Sequence, residues 1–187
     1  MESCEEYVVL VDEEDKEIGI EKKLTVHSKR TPLHRAFSLF LFKSTKDTKE
    51  LLLQQRAEDK KTWPLVWSNS CCGHPSPNES YKSAVIRRTR YELGIKLNAV
   101  EKISDYRYCF SKDDIMENEI CPIFVGFYDG NVVPHPQEVQ AVKWIRWEAW
   151  QEETAKYPDK YSPWCVEETR ILALDKKFNE LLACLPS

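Results

Sequence analysis

Glycine is scarce in this chain, with 5 residues among 187. Neither the spacing of a P-loop nor that of a dinucleotide-binding turn is present, which excludes the glycine-rich phosphate sites of those two classes. No apolar run is longer than a strand, so we expect no membrane span. The net charge is −4, and without a basic excess the sequence favours neither nucleic acid nor an anionic membrane as a partner.

The beginning of the chain also lacks the marks of a targeting segment. Residues 1–6 are acidic and contain no apolar stretch, so a secretory signal peptide is not expected. Seven cysteines are present, an odd number for a set of disulfides. We therefore predict a cytoplasmic protein with reduced cysteines, and no obligate protein partner is evident.

The hydrophobic pattern predicts an α/β protein. Apolar segments of strand length occur at residues 7–11, 36–42, 51–55, 103–110, 120–128 and 141–147. Two helices are predicted between and after them. These strands and helices favour a layered α/β/α domain around one mixed sheet, with no linker dividing it.

Each predicted helix has a recognisable start. Ser76 and Glu79 have the spacing of a capping box, and Gly94 is a natural stop, so the first helix should run from Ser76 to about Leu93. Ser162 and a following proline begin the last helix. Its apolar positions step by three, four and three residues, at Ile171, Leu174, Phe178 and Leu181.

A set of imidazoles and carboxylates forms the first candidate site. Residues two apart on a strand face the same side, so Glu117 and Glu119 can converge on one point. With three histidines they make a plausible site for Mn²⁺, Mg²⁺ or Zn²⁺. The alternative is that these side chains are scattered over the surface. The candidate ligands are His27, His34, His74, Glu117 and Glu119.

The first predicted helix carries a second, more specific pattern. Most of a Nudix box is present, in Gly73, Glu79, Arg87, Glu92 and Gly94. A Nudix helix presents several glutamates that hold metal ions against a diphosphate. Here Arg88 and Tyr91 stand where two of those glutamates are expected. Without the rest of the box, Glu92 would be read as the i,i+4 partner of Arg88.

Four segments together resemble the type I isopentenyl-diphosphate Δ-isomerase family, at residues 67–75, 87–94, 117–122 and 162–164. The resemblance extends from about residue 7 to residue 164. It implies a single domain over residues 1–187 with a Nudix-type α/β/α sandwich and a mixed β-sheet. It also implies interconversion of isopentenyl and dimethylallyl diphosphate, with one proton added to the alkene and another removed through a tertiary carbocation.

The resemblance implies a role for individual residues. Cys72 and Glu119 would be the catalytic pair on opposite faces of the substrate, Tyr108 would bond near that glutamate, and Trp164 would lie over the reacting carbons. The five candidate metal ligands would hold Mn²⁺, Mg²⁺ or Zn²⁺, and Glu92 would hold a separate Mg²⁺ with the substrate diphosphate. The diphosphate would bind the cationic residues Lys23, Arg56, Lys60 and Arg88.

Two other functions remain open at this point. A Nudix pyrophosphohydrolase would use the same fold, although the arginine at position 88 and the tyrosine at 91 argue against it. A non-enzymatic binding module would keep the His/Glu set as a structural metal site. In either case the expected ligand is a small molecule or a metal rather than nucleic acid or membrane.

Overall fold

The computed structural model describes residues 5–45 and 48–185, so the first four residues of the acidic N-terminal segment lie outside the described residues. Within the described residues the strands are β1 (Tyr7–Val11), β2 (Glu17–Lys22), β3 (His34–Arg35), β4 (Phe37–Thr45), β5 (Thr48–Arg56), β6 (Trp67–Ser68), β7 (Cys71–Gly73), β8 (Glu101–Ser104), β9 (Arg107–Lys112), β10 (Ile115–Ile120), β11 (Ile123–Phe127) and β12 (Val139–Arg146). The helices are α1 (Lys23–Val26), α2 (Tyr81–Leu93), α3 (Trp147–Lys156), α4 (Pro163–Leu174) and α5 (Lys176–Ala183), with a 3₁₀ turn at Pro158–Lys160.

The strands form two sheets, and each is mixed as predicted, because β3 pairs in parallel with β10 in one and β4 pairs in parallel with β11 in the other. One has the order β2-β1-β3-β10-β9 and the other β12-β5-β4-β11-β8, with β6 and β7 pairing onto β5 and β4. The chain passes from β10 to β11 through Cys121 and Pro122, and a proline cannot donate a ladder hydrogen bond. Ala36 N–H donates to the Ile120 carbonyl at 2.9 Å and Ser38 N–H to the Pro122 carbonyl at 3.2 Å, so the parallel pairing of β3 with β10 leads into that of β4 with β11. The two sheets therefore meet at a hydrogen-bonded seam.

Strand β4 divides the core into two layers. Phe40 and Phe42 face the layer that contains α3, α4 and α5, whereas Leu39 and Leu41 face the layer that contains α2. This alternation follows from the period of two along a strand buried on both faces. The α/β/α arrangement predicted from the sequence is confirmed. None of the described helices is long and apolar enough to cross a membrane.

Helix α2 begins later than the capping-box spacing predicts. Ser80 is the N-cap and its side chain accepts from Ser83 N–H, because Asn78 takes a left-handed conformation with φ 63° and interrupts any helix starting at Ser76. Half of the capping box still forms, since Ser76 N–H donates to the Glu79 carboxylate at 2.9 Å. The helix ends as predicted at Gly94, with φ 67°.

The last helix is broken into two. Asp175 is extended and its carboxylate caps α5 by accepting from Phe178 N–H at 2.8 Å. Phe178 is therefore buried on α5, while Leu174, predicted as an apolar core position, ends α4 and is almost fully exposed. A local Asx cap competes successfully with continuation of the helix here.

Candidate active site

The predicted metal ligands meet beside the seam between the two sheets. Strands β3 and β10 run parallel with His34 next to Glu119, and Glu117 lies two residues earlier on the same face. His27 directly follows α1, and His74 directly follows β7. Pairing of strands that are distant in sequence therefore gathers these side chains from four separate segments.

The imidazoles converge on one carboxylate. Glu119 Oε1 lies 3.0 Å from His74 Nε2 and 3.3 Å from His34 Nε2. The other ring nitrogen of His34 is 2.9 Å from the Pro32 carbonyl, so Nδ1–H donates there and Nε2 is left facing the cluster. Such an outer hydrogen bond is the usual way in which a metal-binding histidine is oriented.

The geometry of the cluster fits a divalent metal ion. His27, His34, His74 and Glu119 each offer a ligand atom, and these four atoms lie within 4.8 Å of one another. His27 Nε2 is 2.9 Å from Glu117 Oε2, yet neither atom has a hydrogen-bond partner among the described residues. Buried polar atoms rarely stay unpaired, so a shared cation explains this arrangement. Imidazole and carboxylate donors are common to Mn²⁺, Mg²⁺ and Zn²⁺ sites.

The pKa shifts within the cluster differ from one residue to the next. Burial lowers the pKa of His74 to about 3, which keeps its imidazole neutral. Burial also acts to lower the pKa of His34, but the hydrogen bond and charge of Glu119 outweigh it and leave that pKa raised. Burial raises the pKa of Glu119, whereas hydrogen bonds from the two histidines bring it well below its usual value. Glu119 is therefore ionised.

The cavity beside this cluster has a volume of about 270 Å³ and brings together the other predicted site residues, with the exception of Glu92. Cys72 lines it from β7, with its sulfur 3.2 Å from Asn69 Oδ1 and 3.6 Å from Ser38 Oγ. Burial raises the pKa of Cys72 to about 12, so its side chain is a thiol. Tyr108 faces the same cavity, and its hydroxyl donates to Glu119 Oε2.

Aromatic side chains cover one wall of the cavity. Trp164 stacks on Tyr108, with ring centroids 5.8 Å apart and an interplanar angle of 15°. The Trp63 ring meets the Trp164 ring edge-on, with centroids 5.2 Å apart. The guanidinium carbon of Arg56 lies 5.6 Å from the centroid of the Trp164 ring. Because Trp164 is the second residue after the N-cap of α4, the start of that helix sets its position.

The four cationic residues predicted from the sequence, Lys23, Arg56, Lys60 and Arg88, all line the same cavity, together with Lys61. Lys23 pairs with Glu6 and Lys60 with Glu138. Arg56 donates from Nε and Nη2 to the Thr62 carbonyl at 3.0 and 2.8 Å. Lys23, Lys60 and Arg56 are thus each held by a protein partner.

Arg88 and Glu92 form a buried ion pair on α2. Their closest atoms, Arg88 Nη2 and Glu92 Oε1, are 2.5 Å apart, and the two residues are 3% and 2% exposed. The i,i+4 partnership suggested by their spacing is therefore present, although it is buried rather than on the surface. Glu92 lies behind Arg88 and is neither in the His/Glu cluster nor in the cavity wall.

Comparison with known proteins identifies the family. The NUDIX domain family matches residues 32–165. Isopentenyl-diphosphate Delta-isomerase of Saccharopolyspora erythraea is 39% identical over 165 residues, covering 87% of this chain and 84% of the relative. The enzyme of the same name from Mycolicibacterium vanbaalenii is 40% identical over 169 residues, covering 89% and 91%. The chain belongs to the isopentenyl-diphosphate Delta-isomerase family. It is accordingly an enzyme of Nudix fold, as its motifs predicted.

Solved structures support the fold of this isomerase-family chain. A Deinococcus radiodurans crystal structure aligns with a TM-score of 0.65 at 18% identity, covering 95% of this chain and 98% of the other. A MutT protein from Methanosarcina mazei aligns with a TM-score of 0.60 at 18% identity, covering 80% and 95%. At such identities the likeness concerns the fold alone.

The structure adds residues that the sequence did not indicate. Glu138 lines the cavity and pairs with Lys60 and, at 3.3 Å, with Arg88. Burial raises the pKa of Glu138, but these two cations outweigh it and leave that pKa lowered. Asn69 and Ser38 contact the Cys72 sulfur from below the cavity. Asn69 lies in the segment 67–75 that carries the family resemblance, but no role was predicted for it; Glu138 and Ser38 lie outside every motif, so only the folded chain reveals them.

Proposed function

We propose that this protein interconverts isopentenyl diphosphate and dimethylallyl diphosphate. The observation that carries the proposal is one cavity in which a thiol, Cys72, and an ionised carboxylate, Glu119, share space with an aromatic wall and four cations. The isomerisation adds a proton at one end of the alkene and removes one elsewhere. It therefore needs two proton-transfer groups of which one is protonated and the other is not.

Cys72 and Glu119 meet this requirement as a pair. The Cys72 pKa of about 12 keeps a proton on sulfur, while the lowered pKa of Glu119 leaves its carboxylate free to accept one. Because the reaction is reversible, each group gives a proton in one direction and takes it back in the other. Tyr108 donates to Glu119 and so holds that carboxylate in one orientation.

Trp164 and Tyr108 give the cavity its flat aromatic wall. The site must stabilise the positive charge of a tertiary carbocation and also keep water and strong nucleophiles away from it. An aromatic face attracts a desolvated cation by ~2 kcal/mol or more. We assign Trp164 to this role, with Tyr108 behind it.

The metal site and the diphosphate site adjoin this reaction centre. We propose that His27, His34, His74, Glu117 and Glu119 hold a divalent cation, which when bound would neutralise the buried carboxylates and fix the position of Glu119. Lys23, Arg56, Lys60 and Arg88 would bind the diphosphate, with Glu92 contributing to a second Mg²⁺ carried by the substrate. The six cysteines among the described residues are free thiols, which suits a cytoplasmic enzyme.

The proposal is tested by following isopentenyl diphosphate with the purified protein, Mg²⁺ and Mn²⁺. We expect conversion by the wild type and its loss in Cys72→Ala. Cys71→Ala is the matched control, because Cys71 is an adjacent buried thiol that packs into the α2 layer, away from the cavity. If the wild type converts neither isomer, or if both cysteine variants behave alike, the proposal is wrong. Phosphate release from nucleotides, lost in Glu92→Gln, would favour a hydrolase.

A further inference from the structure

His27 is a candidate metal ligand whose backbone has little support from secondary structure. It is the C-cap of α1, a helix of only four residues. So short a helix leaves its final carbonyls without partners inside it and cannot hold its shape by its own hydrogen bonds. Packing adds little, because the buried residue of α1 is Val26, whereas Leu24 is 83% exposed. The position of His27 therefore depends on contacts from other parts of the chain.

Lys61 supplies one such contact from the loop between β5 and β6. Its Nζ donates to the His27 carbonyl at 2.6 Å and to the Leu24 carbonyl at 3.3 Å, and both carbonyls belong to the end of α1. An ammonium group carries three donors, and hydrogen bonds from a charged donor are stronger than those between neutral groups. Lys61 therefore connects the loop that contains Lys60 to the segment that carries a candidate metal ligand.

The segment that follows α1 is also bonded to β10. Met116 N–H donates to the Ser28 carbonyl at 2.8 Å, and Thr31 Oγ1 donates to the Met116 carbonyl at 2.6 Å. Met116 precedes Glu117, whose Oε2 lies 2.9 Å from His27 Nε2. The carbonyls of His27 and Ser28 are thus bonded to two different parts of the chain. Between them, Lys61 and β10 fix the backbone on the carboxyl side of His27.

We propose that Lys61 is a positioning residue for His27: its hydrogen bonds to the end of α1 keep the His27 imidazole beside the other candidate ligands of the His/Glu cluster. Adjacent lysines then serve different sites, since Lys60 pairs with Glu138 and is assigned to the diphosphate. The inference rests on the proposed function in one respect, which is that the His/Glu cluster binds a metal ion.

Titration of the metal-free protein with Co²⁺, followed by visible absorption, tests the proposal without turnover. Lys61→Met should raise the dissociation constant for Co²⁺ about tenfold, the effect of losing an outer contact to a metal ligand. Lys61→Arg keeps charged donors and should stay within about threefold of wild type. Lys29→Met is the matched control, because Lys29 lies close to His27 in sequence but forms an exposed ion pair with Asp114. Its Co²⁺ affinity should equal that of wild type.

A double-mutant cycle with His27→Ala assigns the effect to that ligand. His27→Ala should weaken Co²⁺ binding and change the absorption band, since a nitrogen ligand is lost. Adding Lys61→Met to His27→Ala should weaken binding no further, whereas a general loss of structure would add to the first loss. Equal Co²⁺ affinities of wild type and Lys61→Met, additive losses in the double variant, or an Arg variant as weak as Met would overturn the proposal.

Direct contact with the diphosphate is the competing role for Lys61, because this residue also lines the cavity. In that case Lys61→Met would raise the KM for isopentenyl diphosphate and leave the Co²⁺ affinity unchanged, which would overturn the inference. A wild type that binds no Co²⁺ would overturn it as well. A wild type that binds Co²⁺ but does not isomerise would overturn the proposed function, and the double-mutant cycle would then decide the role of Lys61 alone.

Discussion

Removing the charge of Arg88 should destabilise the fold more than any other single change at a cavity cation. Arg88 Nη2 lies 2.5 Å from Glu92 Oε1 and 3.3 Å from Glu138 Oε1. Without Arg88, Glu138 keeps Lys60 as a partner, but Glu92 keeps no ion-pair partner among the described residues. The Arg88→Met variant therefore leaves one buried carboxylate uncompensated.

The magnitude follows from that uncompensated charge. Both residues are at most 3% exposed, so solvent screens the pair very little. Breaking such a pair costs about 3–5 kcal/mol. For a chain of this length each kcal/mol lowers the unfolding midpoint by about 2–4 °C, which gives a fall of about 6–20 °C. Replacing both partners, as Arg88→Met with Glu92→Leu, should recover most of this loss, because no charge is then left buried alone.

Urea unfolding of the single and double variants provides the measurement. Arg90→Met is the matched control, because Arg90 is exposed on the same helix and its replacement should change the free energy of unfolding by about 1 kcal/mol at most. The double variant should be stable but impaired in isomerisation, since Arg88 also lines the cavity. A loss below about 1 kcal/mol in the single variant, or a double variant less stable than the single, would refute the reasoning.

Three further perturbations probe the rest of the site. Tyr108→Phe removes the donor to Glu119, so steady-state kcat should fall about tenfold or more while the thermal midpoint holds. Burial raises the pKa of Glu138, but Lys60 and Arg88 outweigh it and leave that pKa lowered. Ionised Glu138 therefore contributes fully to the free energy of unfolding above the unfolded-state pKa near 4.5, and this contribution is lost as the pH falls through the folded-state pKa. Glu138→Gln should therefore be less stable than wild type at pH 7 and converge with it in acid, by urea unfolding. A chelator should lower the thermal midpoint of the wild type by about 5–10 °C. The thermal midpoint of His74→Ala should already be lower than that of the wild type, and the chelator should not change it further.

Each of these expectations has a contradicting result. Wild-type kcat in Tyr108→Phe would show that Glu119 works without that hydrogen bond. Parallel stability curves for Glu138→Gln and wild type from pH 7 into acid would show that the ion pairs of Glu138 do not stabilise the fold. If chelation did not change the thermal midpoint of the wild type, the His/Glu cluster would hold no metal. His135→Ala is the control for the general effect of losing an imidazole, because His135 lies outside the cluster.

Features that depend on neighbouring residues were predictable from the sequence. The period of two along β10 placed Glu117 and Glu119 on one face, and Gly94 marked the end of α2. The spaced motifs predicted the Nudix fold because they record a helix and its flanking turns. The gathering of the three histidines with Glu119 also agrees with the prediction, although it rested on the family resemblance as well as on spacing.

Features that depend on distant contacts were not predictable. The helix start moved to Ser80 because Asn78 adopts a left-handed conformation, and the last helix broke because Asp175 caps a new one. The division into two sheets depends on how the segment around Pro122 crosses to its neighbour. Glu138 gained its setting from Lys60 and Arg88, which lie far away in sequence. Its identity alone describes an ordinary surface glutamate, and only its ion pairs in the folded chain distinguish it.

The two proton transfers can be followed in the products of the reaction itself. The protein is incubated with isopentenyl diphosphate in D₂O and the products are followed by NMR. We predict dimethylallyl diphosphate that carries deuterium in a methyl group, because the proton added to the alkene comes from a group that exchanges with solvent. Unchanged substrate without deuterium, or release of phosphate with no new alkene, would contradict the account.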